Sequence, residues 1–174
     1  DKPVSFEVFS DDFGEMEKQA LKISSWGENV YVKIPITNTK GESSADLIAK
    51  LSAMGVKINA TALLTLDQVD SLSSSFLCHG IVSVFAGRIA DTGIDPFDIM
   101  KAARYLLPKH VELLWASPRQ VLDIKIAERA GCDIITATPD ILKKISLFGK
   151  DLTDYSRETV QMFYNDAQAA GYIL

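Results

Sequence analysis

Val30-Tyr31-Val32-Lys33-Ile34-Pro35-Ile36 is followed by Ser44–Met54, then by Gly55, then by Val56–Leu63. The first and third stretches are rich in Val, Ile and Leu and too short for helices, so they read as strands. The middle stretch carries Leu47, Ile48, Leu51 and Met54 in a helical stripe that stops at Gly55. Neither strand alternates cleanly between apolar and polar residues, as expected of parallel strands covered on both faces. Strand, helix and strand in this order make a βα unit that feeds a parallel neighbour.

The same pattern extends in both directions. Val4–Phe9, Ile81–Phe85, Glu112–Ala116 and Asp133–Ala137 are further predicted strands. Glu15–Ser25, Leu66–Leu77, Pro96–Leu107, Pro118–Ala130 and Pro139–Ser146 read as helices between or after them. Asp154–Leu174 reads as a last helix ending near Gly171. The repeat is roughly 21 to 31 residues, which predicts a (β/α)8 barrel or an open parallel sheet. Neither G-x-G-x-x-G nor G-x-x-x-x-G-K-[ST] follows a predicted strand, which weakens the dinucleotide and P-loop forms of the open sheet. The expected class is therefore α/β, a (β/α)8 TIM barrel with six of its eight βα units in this chain. Residues 1–174 are expected to form one barrel domain, truncated at its N-terminus. That expectation rests on a start at Asp1, without methionine, that runs at once into the apolar segment at Val4. Two further units would add roughly 50 residues, and without them two strand edges would lie open.

Composition narrows the function classes. The chain is 47% hydrophobic and 24% charged, enough for a folded core. Its net charge is −5, from 18 basic and 23 acidic residues, so a broad nucleic-acid surface is not expected. A small anion pocket built from a few arginines remains compatible with that balance. No apolar run approaches the ~18 residues of a membrane span. Cys78 and Cys132 have neither metal-ligand nor disulfide-framework spacing, and a reducing, cytoplasmic setting is expected.

In a barrel, chemistry gathers at the C-terminal ends of the strands. The predicted strands bring polar groups there in turn: Glu7, Lys33, Asn59 with Thr61, Ser83 with Arg88, Ser117 with Arg119, and Thr136 with Thr138. Lys33 has two readings. A desolvated lysine has a depressed pKa, and its neutral amine can form a Schiff base with a carbonyl. The other reading is a lysine that snorkels out of an edge strand. Glu7 is a salt-bridge partner for it, a general acid/base or a structural acid. Arg88 and Arg119 also have two readings. With the Ser117 hydroxyl their planar forks suit a phosphate monoester; alternatively they are surface arginines paired with Asp91 or Glu112. His79 and His110 fall in predicted loops and are expected to be exposed. Trp26 and Trp115 are expected to pack.

Four segments carry a resemblance to a known family: Val32-Lys33-Ile34-Pro35-Ile36-Thr37, Asn59-Ala60-Thr61, Ser83-Val84-Phe85-Ala86-Gly87-Arg88-Ile89 and Ala116-Ser117-Pro118-Arg119. In this order, at the ends of predicted strands, they resemble the transaldolase family, in particular its small transaldolase-like and fructose-6-phosphate aldolase branch. The resemblance implies a (β/α)8 class I aldolase in which Lys33 is the Schiff-base lysine. It implies that Glu7 and Thr61 hold the catalytic water, and that Asn59 and Ser83 contact the substrate. Phe85 would lie over the site, and Arg88, Ser117 and Arg119 would clamp the phosphate. The family typically has Glu and Phe at the positions of Glu7 and Phe85 in transaldolases, and Gln and Tyr in fructose-6-phosphate aldolases. The implied reaction converts sedoheptulose 7-phosphate and glyceraldehyde 3-phosphate to erythrose 4-phosphate and fructose 6-phosphate, in the pentose phosphate pathway. Phosphorylated sugars are the implied partners, with no cofactor, no metal, no nucleic acid and no membrane. A homo-oligomer is expected, with the C-terminal helix near Phe163–Ala170 at an interface. The alternatives are a fructose-6-phosphate aldolase and a non-catalytic phosphosugar-binding barrel fragment. Four departures stand out. The family's first-strand aspartate and second-strand Thr-Asn-Pro motif have no match, Pro118 replaces an aromatic residue, and Val84 replaces a proline. The missing aspartate makes inactivity of the chain on its own one expected outcome.

Overall fold

The computed structural model describes residues 2–173. Six strands run parallel and lie side by side in chain order: β1 (Val4–Glu7), β2 (Val30–Pro35), β3 (Ile58–Leu63), β4 (Gly80–Val84), β5 (Val111–Trp115) and β6 (Ile134–Ile135). Between and after them come α1 (Phe13–Ser24), α2 (Ala45–Ala53), α3 (Leu66–Asp70), α4 (Ala86–Asp91), α5 (Phe97–Leu106), α6 (Leu122–Ala130), α7 (Pro139–Lys143) and α8 (Leu152–Ala170), with a 3-10 turn at Lys144–Leu147. A doubly wound open sheet reverses its strand order at a switch point. This order never reverses, which is the winding of a (β/α)8 barrel. Six of its βα units are present, as the repeat implies.

Two compact units divide the chain after Thr138. The first contains the sheet and α1 to α6; the second contains α7, the 3-10 turn and α8. Among the described residues no helix is long and apolar enough to cross a membrane.

The period of the strands sorts their side chains onto two faces. One face buries Val30, Val32 and Ile34 of β2, Ile58 and Ala60 of β3, Val82 and Val84 of β4, and Leu113 and Trp115 of β5. These pack with helix residues such as Met16, Ile48, Leu51, Val69, Met100 and Ala127 in one continuous core. The opposite face has a smaller apolar cluster of Tyr31, Ile81, Leu114 and Ala116. Toward the C-terminal ends of β1 to β4 that inner face turns polar. Register pairs Glu7 with Lys33, Lys33 with Asn59 and Pro35 with Thr61, so these residues share it.

Local chemistry explains the ends of the elements. Asp12 caps α1 by accepting from the Glu15 amide at 2.9 Å. Thr65 and Gln68 form a reciprocal capping box on α3. This helix stops at Asp70, short of the expected Leu77. Ser71, Ser73, Ser74 and Ser75 follow, and the Ser71 and Ser75 hydroxyls donate back to the carbonyls of Gln68 and Ser71. Such bonds compete with a continuing helix. Helix α6 starts at Leu122 rather than Pro118, and Ser117 before it takes a left-handed φ of 58°. The short α4 lies between Phe85 and Pro96, where the sequence pattern predicts no element. Strands β1 and β6 are shorter than expected; each pairs on one side only. The last helix ends at a left-handed Gly171, as its sequence implies.

Candidate active site at the C-terminal strand ends

Strand β2 lies between β1 and β3, so the edge-strand reading of Lys33 does not hold. The Lys33 side chain is partly exposed, 29%, and its Nζ stands 3.3 Å from Glu7 Oε2. The amine is therefore neither sealed from water nor unpaired. Its side chain comes from the middle of a parallel sheet, where hydrogen bonds on both sides hold the backbone. Glu7 is more exposed and sits at the open edge of that sheet.

Asn59 is the neighbour of Lys33 on β3. Its side-chain amide donates to Ser5 Oγ at 3.1 Å, and its carbonyl oxygen accepts from Ser83 Oγ at 2.7 Å. A polar chain thus runs across β1, β3 and β4 on the inner face. Asn59 and Ser83 are both buried, and these bonds satisfy groups that would otherwise be costly to desolvate. Thr61 is 1% exposed and its hydroxyl has no protein partner. Beside it, the β3–β4 register shifts between Ala60 and Leu63, and Ala62 takes a φ of 65°. Bulges and left-handed non-glycine residues gather where a fold aims side chains at a task.

A second cluster forms at the ends of β4 and β5. The Arg88 guanidinium lies over the Phe85 ring, 5.3 Å from its centroid. The Gly87 amide donates to Ala116 O at 3.2 Å, and a Cβ on Gly87 would come within 1.5 Å of Ser117 O. Only glycine allows this approach, which places Ser117 against the start of α4. The buried Asp123 carboxylate accepts from the Arg119 amide at 2.6 Å and the Gln120 amide at 3.2 Å. Arg119 Nε donates to Asp91 Oδ1 at 3.0 Å, and Nη2 donates to Oδ2. Its pKa is raised, chiefly by that Asp91 hydrogen bond. Arg119 thus does pair with Asp91, whereas Glu112 faces His79 at 3.5 Å. Pairing with a carboxylate and binding a phosphate are compatible for a five-donor guanidinium.

Of the other groups, Thr136 and Thr138 are exposed. His79 and His110 are exposed yet engaged: His79 Nδ1 is 3.1 Å from Tyr31 Oη, and His110 Nε2 is 3.0 Å from Phe76 O. Trp115 is in the core, while Trp26 is 56% exposed and meets Phe6 edge-on at 5.2 Å. Among the described residues no cluster of His, Cys, Asp and Glu could hold a metal ion.

A family described as Transaldolase/Fructose-6-phosphate aldolase matches residues 1–172. The chain belongs to that family. It is 31% identical to a probable transaldolase of Hyphomonas neptunium, over 98% of this chain and 76% of the relative. It is 32% identical to a probable transaldolase of Brucella anthropi, over 90% of this chain and 70% of the relative. A probable transaldolase of Streptococcus agalactiae is also 32% identical, over 91% of this chain and 72% of the relative.

In this member of the transaldolase and aldolase family, sequence reasoning missed the residues that support the site. Asp123 is legible afterwards as a carboxylate four residues beyond Arg119 at a helix start. Ser5 is two residues before Glu7, hence on the same face. The requirement for Gly87 and the bulge at Ala62 depend on how neighbouring segments pack, and no local signal marks them.

Proposed function

We propose that this chain is a transaldolase, a class I Schiff-base enzyme that moves a dihydroxyacetone unit between phosphosugars. The carrying observation is the Lys33–Glu7 pair at 3.3 Å, beside the Asn59–Ser83 hydrogen bond on the polar inner face. Glu7 takes a proton from Lys33, and the neutral amine attacks the C2 carbonyl of a ketose phosphate. Glu7 returns that proton to the carbinolamine hydroxyl, which leaves as water and gives an iminium, so the carboxylate is a base again. As the C3–C4 bond breaks, its electron pair flows into the iminium, and the C4 hydroxyl proton passes to a base. In this chain the groups available for that proton are Glu7 and a water held between Glu7 and the Thr61 hydroxyl. The aldehyde leaves, and the three-carbon enamine stays on Lys33 until it attacks an acceptor aldose phosphate. Water then hydrolyses the new iminium and frees the lysine. The iminium is itself the electron sink, so the scheme calls on no metal or cofactor.

Asn59 and Ser83 hold substrate hydroxyls, and Phe85 covers the site. Arg88, Ser117 and Arg119 hold the phosphate and so orient the reacting carbons. Glu7 and Phe85 support transaldolase over fructose-6-phosphate aldolase, as do the names of the relatives. The proposed reaction converts sedoheptulose 7-phosphate and glyceraldehyde 3-phosphate to erythrose 4-phosphate and fructose 6-phosphate, in the cytoplasmic pentose phosphate pathway. Copies of the chain are proposed to associate through α8, whose Met162, Phe163 and Tyr164 are exposed.

The test is borohydride reduction with fructose 6-phosphate, read by intact mass and peptide mapping. A reduced three-carbon adduct on Lys33 is expected. Lys33→Met should abolish it and change stability by less than about 1 kcal/mol, since the ion pair is solvent-accessible. An adduct that persists in Lys33→Met, or none in the parent chain, overturns the proposal. Turnover of fructose 6-phosphate without an acceptor aldehyde would make the enzyme an aldolase instead.

A further inference from the structure

We infer that Asp91 is a positioning residue for the phosphate subsite, one that holds the Arg119 fork ready for a dianionic phosphate. The inference rests on the proposed phosphate role of Arg119.

Arg119 is held at both ends. Its backbone amide donates to the buried Asp123 carboxylate at 2.6 Å, and its side chain donates through Nε and Nη2 to Asp91. The contact uses the lateral edge of the guanidinium. Two of its five N–H donors are taken, and the Nη1 edge is left for a second acceptor. Asp91 also decides where that edge lies. It is three residues after Arg88 on α4, so the two side chains share one face of that helix. By binding Arg119, Asp91 brings the second guanidinium to the face that bears the first. Without the carboxylate, two like charges would repel there, and the long, half-exposed Arg119 side chain would sample many rotamers.

A carboxylate beside a phosphate site can act in two opposite ways. It can compete for the arginine, or it can orient it. Competition is the expected outcome where the carboxylate occupies the donors the phosphate needs. Here the free edge favours orientation, and repulsion between two anions at an exposed site is screened by water. The two roles predict opposite signs.

The test measures inorganic phosphate affinity by titration calorimetry on the 174-residue chain. Asp91→Asn is expected to weaken phosphate binding about three- to tenfold, with Asp91→Glu recovering part of the loss. Arg119→Ala should weaken it more, and adding Asp91→Asn to Arg119→Ala should then change nothing further. A residue that merely supported the fold would lower thermal stability and would still act in the Arg119→Ala background. Tighter phosphate binding in Asp91→Asn, or no change, overturns the inference while leaving Arg119 in its role. Undiminished binding in Arg119→Ala, or no binding by the parent chain, overturns the phosphate role itself and the inference with it.

Discussion

Thr61 is the residue whose environment asks most directly for an explanation. Its hydroxyl is buried without a partner, and leaving a polar group so costs about 1–3 kcal/mol. A fold that only needed the volume would use valine. Thr61→Val should therefore leave stability unchanged or raise it by about 1 kcal/mol, and should slow adduct formation on Lys33. Denaturant unfolding and borohydride trapping read the two effects. A clear loss of stability would mean that the hydroxyl serves the fold. Cys132 offers a second residue-scale prediction. Burial, with a smaller contribution from Asp133, pushes its thiol from 9.0 up to about 12. The folded protein keeps this proton while the unfolded chain loses it. This contribution to stability is thus present below pH 9.0 and is lost as pH rises toward about 12. Cys132→Ala should flatten that alkaline decline in a urea titration, and an equally steep decline would refute the assignment. At this scale the sequence showed which residue types stand at the strand ends. It offered Asp91 as a partner for Arg119, and the structure forms that pair. It did not show that Glu112 meets His79, since that pair joins distant parts of the chain.

Among the elements, the join between the β4–α4 turn and the segment after β5 controls the candidate phosphate subsite. Gly87 permits Ser117, with its φ of 58°, to lie against the turn. Gly87→Ala puts a methyl group on the Ser117 carbonyl, so one segment must move. The expected cost is about 2 kcal/mol or more, together with weaker phosphate binding and intact adduct formation at Lys33. Equal loss at both sites would mean general unfolding rather than a local shift. The N-terminal ends of the strands are tied differently. Arg104 donates to the carbonyls of Leu107, Pro108 and Val111 and to Asp133, joining the end of α5 to β5 and the start of β6. The helical stripe of α2 was readable because its apolar spacing repeats every turn. The early stop of α3 was not, because the serines after Asp70 can continue a helix or bond back to it, and packing selects between the two.

At the scale of the whole molecule, the sheet has two ends. β1 and β6 each pair on one side, whereas β2 to β5 pair on both. Native-state hydrogen exchange should therefore be slowest in β3 and β4 and fastest in β1 and β6. Uniform protection across the strands would count against this ordering. In α8 no residue is buried, so its amides should exchange readily in dilute protein. If copies associate through α8, its protection should rise with protein concentration; protection independent of concentration would remove that interface. The sequence by itself determined the alternation of strands and helices and the places of Lys33, Glu7, Asn59, Thr61, Ser83 and the two arginines. It could do so because period, turn residues and strand ends are local properties of a chain. Only the tertiary structure decided that β2 is interior and that Asn59 bridges Ser5 and Ser83. It also decided that the Thr61 hydroxyl is buried without a hydrogen-bond partner and that Asp91 takes two hydrogen bonds from the Arg119 guanidinium. These are contacts between segments that the chain brings together only when parallel strands set their register and the helices close over them.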